Sequence, residues 1–292
     1  MKDTTVGLIG LGEMGCGIGG YLVRSGVRVI SVTTSRSYQS VQRSITAGIE
    51  ESENLSELCD ASDFIFSIIP PDKSQQIVDD IIATYRKKKF KAIFCDLNAI
   101  SPQTSRTNGK KLEEEGIKYI DGGIIGGPPD GKVNPRVYLS GAFSAELKVL
   151  DGCGMDVRVM GGSVGQASAL KMCYASVTKG LIALMTGALV TANKLGVYDS
   201  LLEEFEDSQS HLHKSMNKGI PSAVHKAYRW VGEMFEISDT YKSAELEGNF
   251  HKEAAFIFDL MAKIKVSEPE YLNKVTFLSF FLLGLSVGVF II

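Results

Sequence analysis

Three glycines, Gly10, Gly12 and Gly15, stand in the spacing G-x-G-x-x-G directly after the apolar run TVGLI. A helix-like stretch, GIGGYLVRSG, and a second apolar run follow, which is the strand–turn–helix setting in which this spacing binds a dinucleotide. The first glycine permits the tight turn, the second lets a pyrophosphate approach the backbone, and the third lets the helix pack on the strand. The intervening Leu11, Glu13 and Met14 add amides at the helix start, where an anion is favoured. A second chemical feature is Lys171, an ammonium in the run GQASALKMCYASVTKGLIALMTGAL, whose other charge is Lys179. That run is apolar nearly all round and is expected to be mostly buried.

The nature of the cofactor follows from a missing acid. A carboxylate about 20 residues beyond the glycines would hold the ribose 2′-hydroxyl of NAD. Between Glu13 and Glu50 the chain has none. Thr33, Thr34, Ser35 and Arg36 stand there instead, three hydroxyls and a guanidinium suited to a 2′-phosphate. The expectation is NADP, with NAD as the poorer cofactor.

The elements that must position these groups are legible in the hydrophobic pattern. From residue 5 to about 160 the runs TVGLI, VRVISV, DFIFSII, KAIFCDL, IKYID, RVYLSG and DVRVM alternate with polar helical stretches, so an α/β fold with a mostly parallel, doubly wound, Rossmann-type sheet is expected. After Gly165 the pattern is helical, with Pro221 and Pro269 as punctuation. The expected domains are a dinucleotide-binding unit over 1–162, an all-α unit for substrate and dimerisation over 163–272, and an apolar tail over 273–292.

The chain resembles the β-hydroxyacid dehydrogenase family, the group related to 6-phosphogluconate and 3-hydroxyisobutyrate dehydrogenases. The likeness covers most of residues 5 to 265 and rests on GLIGLGEMG, SIIPP at 67–71, DLNAISP at 96–102, DGGIIGG at 121–127 and the helix around Lys171. It implies that Lys171 is the general acid/base: removing hydride from a carbinol carbon requires a base for the hydroxyl proton, and desolvation by apolar neighbours can bring a lysine to about pKa 7–8. Lys179, some 80° further round the helix, is expected to lay its stem on apolar surface with its head in water.

The resemblance further implies that Ile69, Pro70 and Asn98 line the cofactor, and that Asn98 with the amides of Gly126 and Gly127 receives the substrate. Departures accompany the matches: Ala99 and Ile125 replace family hydroxyls, and Ala175 stands where an asparagine usually orients the substrate. These changes resemble a subgroup defined by a phosphogluconate-dehydrogenase-like C-terminal domain. Tyr174, about one turn from Lys171, either supplies a substrate hydroxyl contact or simply packs. The implied activity is hydride transfer between NADP(H) and a small hydroxy acid or related carbonyl compound, by a homodimer. A rival reading is an NADP-binding sensor or inactive relative, membrane-tethered or free; imine reduction is disfavoured by Lys171.

Other classes are set aside by composition. The 31 basic and 34 acidic residues nearly cancel, and RKKKFK is a short basic cluster read as a solvated turn, so nucleic acid is not expected as a partner. Five scattered cysteines and the pair His211 and His213 make neither a disulfide framework nor a metal site, which fits a reducing, cytoplasmic setting. The run VTFLSFFLLGLSVGVFII at 275–292 carries no charge and is read either as a tail anchor in a membrane facing the cytosol or as a terminal helix packed in protein.

Overall fold

In a computed structural model, residues 4–263 are described. The apolar tail at 275–292, with both readings of it, and Pro269 lie outside these residues. The sheet elements run β1 (Thr5–Ile9), α1 (Glu13–Arg24), β2 (Arg28–Ser31), α2 (Tyr38–Ala47), β3 (Glu50–Glu51), α3 (Leu55–Ala61), β4 (Phe64–Ser67), α4 (Ser74–Lys87), β5 (Ile93–Asp96), α5 (Pro102–Glu114), β6 (Tyr119–Ile125), β7 (Arg136–Ser140) and β8 (Asp156–Val159). The helical elements are α6 (Gln166–Lys194), α7 (Tyr198–Ser208), α8 (Ser210–Val224), α9 (Ala227–Ser243) and α10 (Asn249–Lys263).

The eight strands form one sheet in the order β3-β2-β1-β4-β5-β6-β7-β8, parallel except between β6 and β7. All seven runs read from the sequence are strands; the two-residue β3 carries no apolar run to betray it. The strand interiors are apolar on successive positions because both faces are covered. Val6, Leu8, Phe64, Phe66 and Ile120 pack on one face with Ile18 and Leu22 of α1. Ile9, Ile65, Phe94 and Tyr119 pack on the other with Leu58, Val78, Ile81 and Leu112 from α3, α4 and α5.

Two compact units divide between Met172 and Cys173, inside α6. The expected boundary at 162 falls ten residues earlier, because the first turns of α6 are hydrogen-bonded to β6 and so belong with the sheet. Two expectations are corrected. Only 39% of the most apolar stretch of α6 is buried, with Tyr174 46%, Val177 66% and Leu184 55% exposed. Pro221 lies inside α8 rather than between helices, three residues before that helix ends.

Within the second unit, α9 and α10 pack closely, with Trp230 edge-on to Phe258 at 5.1 Å. Lys179 does not reach water as expected: only 15% of its side chain is exposed, and its ammonium pairs with Glu233 of α9 and lies 4.9 Å from the Trp230 ring centroid.

Candidate active site

The sheet order reverses beside β1, whose neighbours are β2 and β4, and in such sheets the crevice beyond the strand ends at that point is where nucleotides bind. The glycine turn follows β1 there. Gly10 has φ +120°, and a side chain on it would meet the Ile68 carbonyl oxygen at 2.1 Å. A Cβ on Gly15 would lie 2.0 Å from the Gly10 oxygen, so this glycine is demanded by the helix–turn contact. Gly12 is different: nothing lies within 4 Å of the place its Cβ would occupy. It is also the N-cap of α1 and offers no side chain to the helix's first amides. The turn is therefore sterically closed at its two outer glycines and open at the middle one, where a pyrophosphate would approach. Leu11 is buried, Met14 half-buried and Glu13 exposed.

The ends of β4, β5 and β6 continue the same edge. Ile69 and Pro70 follow β4, and the Ile69 Cγ2 would stand 3.1 Å from a Cβ on Gly10. Asn98, after β5, is 2% exposed; its Oδ1 accepts from the Ile69 amide at 2.7 Å and its Nδ2 donates to Ser67 Oγ at 2.9 Å. Both ends of this carboxamide are thus engaged by the protein. These two bonds tie the β4 turn to the loop that follows β5, and each end of the carboxamide keeps one further N–H or lone pair. Gly126 and Gly127 are exposed at the end of β6, Gly126 with φ +126°. The proline that follows them, Pro128, comes within 3.0 Å of the position a Gly17 Cβ would take on α1, so this turn lies alongside the cofactor helix.

Beyond β2, Thr34, Ser35 and Arg36 are exposed and adjoin Ser37, the N-cap of α2; Ser35 adopts φ 63°. Two residues that the sequence reading missed enter here. Glu51 of β3 accepts the Thr33 hydroxyl, so a carboxylate does reach the end of β2, from a strand 18 residues away in sequence. Arg43 of α2 donates to the Leu11 carbonyl oxygen at 3.4 Å, bringing a second guanidinium to the glycine turn. Neither contact has a signal in the sequence, since each depends on which strand or helix lies alongside.

Lys171 is half-buried in the second turn of α6, at a position where a Cβ on Gly123 would lie 2.8 Å from its own. Tyr174, three residues on, is half exposed rather than packed. Ala175, at the position where the resemblance implies a substrate-orienting asparagine, is buried and apolar. Below the lysine lies a pair of buried acids, Asp96 and Asp121, neighbours in the β5–β6 register. Burial pushes the Asp96 carboxyl up to about 6, against the donors Asn108, Asn98 and Ser74 that favour its charged form; the nearby Asp121 charge raises it further. Tyr119 donates to Asp96 at 3.3 Å and meets Ser105 Oγ at 3.0 Å, and Ser105 donates to Asp121 at 2.7 Å.

Comparison with known proteins agrees with this geometry. Residues 5–161, more than half of the chain, match the NAD binding domain of 6-phosphogluconate dehydrogenase, and residues 192–261 match a domain of unknown function, DUF1932. An uncharacterised 28.5 kDa protein of Methanothermus fervidus is 30% identical over 83% of this chain and 92% of its own. The 2-(hydroxymethyl)glutarate dehydrogenase of Eubacterium barkeri is 26% identical over 70% of this chain and 68% of its own. Among solved structures, MTH1747, a conserved protein with structural similarity to 3-hydroxyacid dehydrogenases, superposes with a TM-score of 0.65 at 27% identity, over 88% of this chain and 96% of that one. A strand-end glycine turn closed at Gly10 and Gly15, followed by this sheet order and these relatives, gives one conclusion: the chain belongs to the family built on the NAD-binding domain of 6-phosphogluconate dehydrogenase, and it is an NAD(P)-dependent dehydrogenase.

Proposed function

We propose that the protein transfers hydride between NADP(H) and a small hydroxy acid or the corresponding carbonyl compound, with Lys171 as general acid/base. The observation that carries this reading is the seat of Lys171: half-buried, packed on Gly123 of β6, in the same compact unit as the glycine turn and the Gly126–Gly127 turn. The dinucleotide supplies the hydride acceptor when bound. Gly10, Gly12 and Gly15 with the first amides of α1 hold its pyrophosphate, and Thr34, Ser35 and Arg36 receive the 2′-phosphate. The Gly126 and Gly127 amides receive the substrate carboxylate. In oxidation the Lys171 amine takes the hydroxyl proton as hydride leaves the carbon; in reduction the ammonium returns it.

The exposed apolar residues Tyr174, Val177, Leu184, Phe250 and Phe256 support a homodimer, since a second copy would cover them. A second reading, an NADP-binding sensor, draws on one observation: the Asn98 carboxamide already gives one N–H to Ser67 and one lone pair to Ile69, so the site offers fewer free polar groups to a substrate. Lys171→Ala separates the two. Turnover of a hydroxyacid and ketoacid panel is expected to fall by about 10²-fold or more, the usual contribution of a positioned acid/base, with NADPH affinity unchanged. A variant retaining most of its activity, or a wild-type protein that binds NADPH and turns over nothing in the panel, overturns the enzymatic role of the lysine.

A further inference from the structure

Asp121 is fully buried and six donors converge on it. Oδ2 accepts from the Gly165, Ala167 and Ser168 amides at 2.9, 3.0 and 3.2 Å and from Ser140 Oγ at 2.7 Å; Oδ1 accepts from Ser105 Oγ at 2.7 Å and Ser168 Oγ at 2.5 Å. The first amides of α6 are therefore capped by a side chain from another element, 44 to 47 residues away in sequence. The Ala167 amide is shared with Ser140 of β7 at 3.1 Å, so two strands hold the same helix start.

The cap and the lysine are two rungs of one ladder. Asp121 and Gly123 are two apart on β6 and so share a face of the sheet. Ser168 and Lys171 are three apart on α6 and so share a face of the helix. The first rung joins Asp121 to Ser168; the second sets Gly123 against Lys171, where a Cβ would come within 2.8 Å of Lys171 Cβ and 2.9 Å of the Ala167 oxygen. A slip of the helix by one residue would turn Lys171 by about 100°. It would also take three amides off Asp121.

We propose that Asp121 and Gly123 are positioning residues for Lys171, the acid fixing where α6 begins and the glycine admitting the lysine's backbone to the sheet. The proposal rests on the reading of Lys171 as the acid/base. In Asp121→Asn the carboxamide oxygen can keep the amides while its NH2 faces hydroxyls that are able to accept, so contact survives and the charge is lost. In Gly123→Ala every donor and acceptor of the cap is retained while the added methyl presses on the Lys171 Cβ and the Ala167 oxygen.

The test uses the full-length protein without cofactor and reads the Lys171 amine directly, by reductive methylation with formaldehyde and borohydride followed by peptide mapping, from neutral to alkaline pH. NADPH binding and thermal melting report that each variant is folded. The expected result is a change of about threefold or more in the Lys171 methylation rate near neutral pH in Asp121→Asn and Gly123→Ala. The exposed Lys110 serves as the internal reference and is expected to be unchanged. An unaltered Lys171 profile in both folded variants overturns the proposal, and if Asp121→Asn does not fold, an unaltered profile in Gly123→Ala does so alone. Loss of the acid/base reading would appear separately, as retained turnover in Lys171→Ala.

Discussion

Two acids are buried along α6, and the two units of the chain satisfy them in different ways. Asp121 in the sheet unit takes backbone amides and hydroxyls, all attached to the elements it joins. Glu233 in the helical unit takes the Lys179 ammonium, at the end of a four-carbon stem. A carboxylate on the amides of a helix start dictates where the helix begins, and the helix dipole favours the charge there. An ammonium on a flexible stem neutralises an acid without fixing its backbone. The comparison assigns register to the first acid and burial of charge to the second.

Breaking each acid should expose that difference. Asp121→Ala takes the acceptor from the Gly165 and Ser168 amides and from the Ser140 and Ser168 hydroxyls in a fully buried place, and is expected to cost about 4 kcal/mol or more in urea unfolding. Replacing its neighbours with apolar residues cannot rescue it, because the amides belong to the main chain. Glu233→Ala leaves a largely buried ammonium beside Trp230 and should cost about 3 kcal/mol. Here the double change Lys179→Met with Glu233→Leu is expected to recover most of the loss, since a buried ion pair is often replaceable by apolar volume. A double variant no more stable than Glu233→Ala would contradict the distinction.

Asp96 sharpens the sheet side of the comparison, because it lies beside Asp121 with fewer donors and its carboxyl is raised by burial. Its folded value of about 6 lies above the ordinary aspartate value of 3.8. The proton is thus held more tightly in the folded state, and this group's contribution to stability is complete below about pH 4 and lost as pH rises through 6. The full swing is about 3 kcal/mol, at about 1.4 kcal/mol for each tenfold change in proton affinity. Asp96→Asn removes the titrating proton, so unfolding free energies measured between pH 4 and 7 should show wild type gaining on this variant as pH falls. Parallel curves would mean that Asp96 does not titrate in that range.

Much of this was readable in advance, for reasons particular to the elements concerned. Strands buried on both faces announce themselves as apolar runs, and G-x-G-x-x-G reports its own sterics, with Gly10 and Gly15 closed by the backbone and Gly12 open. Lys171 stood out because charge is rare in an apolar helix. The helix reads as buried and is largely not: composition registers that Val177 and Leu184 are apolar, but it is blind to whether another surface covers them. Asp121 was legible as part of DGGIIGG and illegible in its role, which is spent on amides 44 to 47 residues away. Asn98 reads from the motif as a ligand residue, whereas its hydrogen bonds to Ser67 and Ile69 at the end of β4 have no signal in the sequence.

Glu51 carries the smallest expected effect and bears on the cofactor. Its carboxylate arrives from β3 and accepts the Thr33 hydroxyl, beside the loop whose Thr34, Ser35 and Arg36 are proposed to read the 2′-phosphate. A carboxylate there opposes an added phosphate through solvent, while it could accept a ribose hydroxyl. It would therefore favour NAD, against the contact proposed for Arg36, which would favour NADP. Glu51→Gln keeps the hydrogen bond from Thr33 and removes the charge, and the ratio of NADP to NAD affinity is expected to rise by about threefold at low salt. Because Glu51 is exposed, added salt should shrink that gain, as screening does for surface charges. A ratio that does not move, or that moves equally at high salt, would assign cofactor choice to the Thr34–Arg36 loop alone.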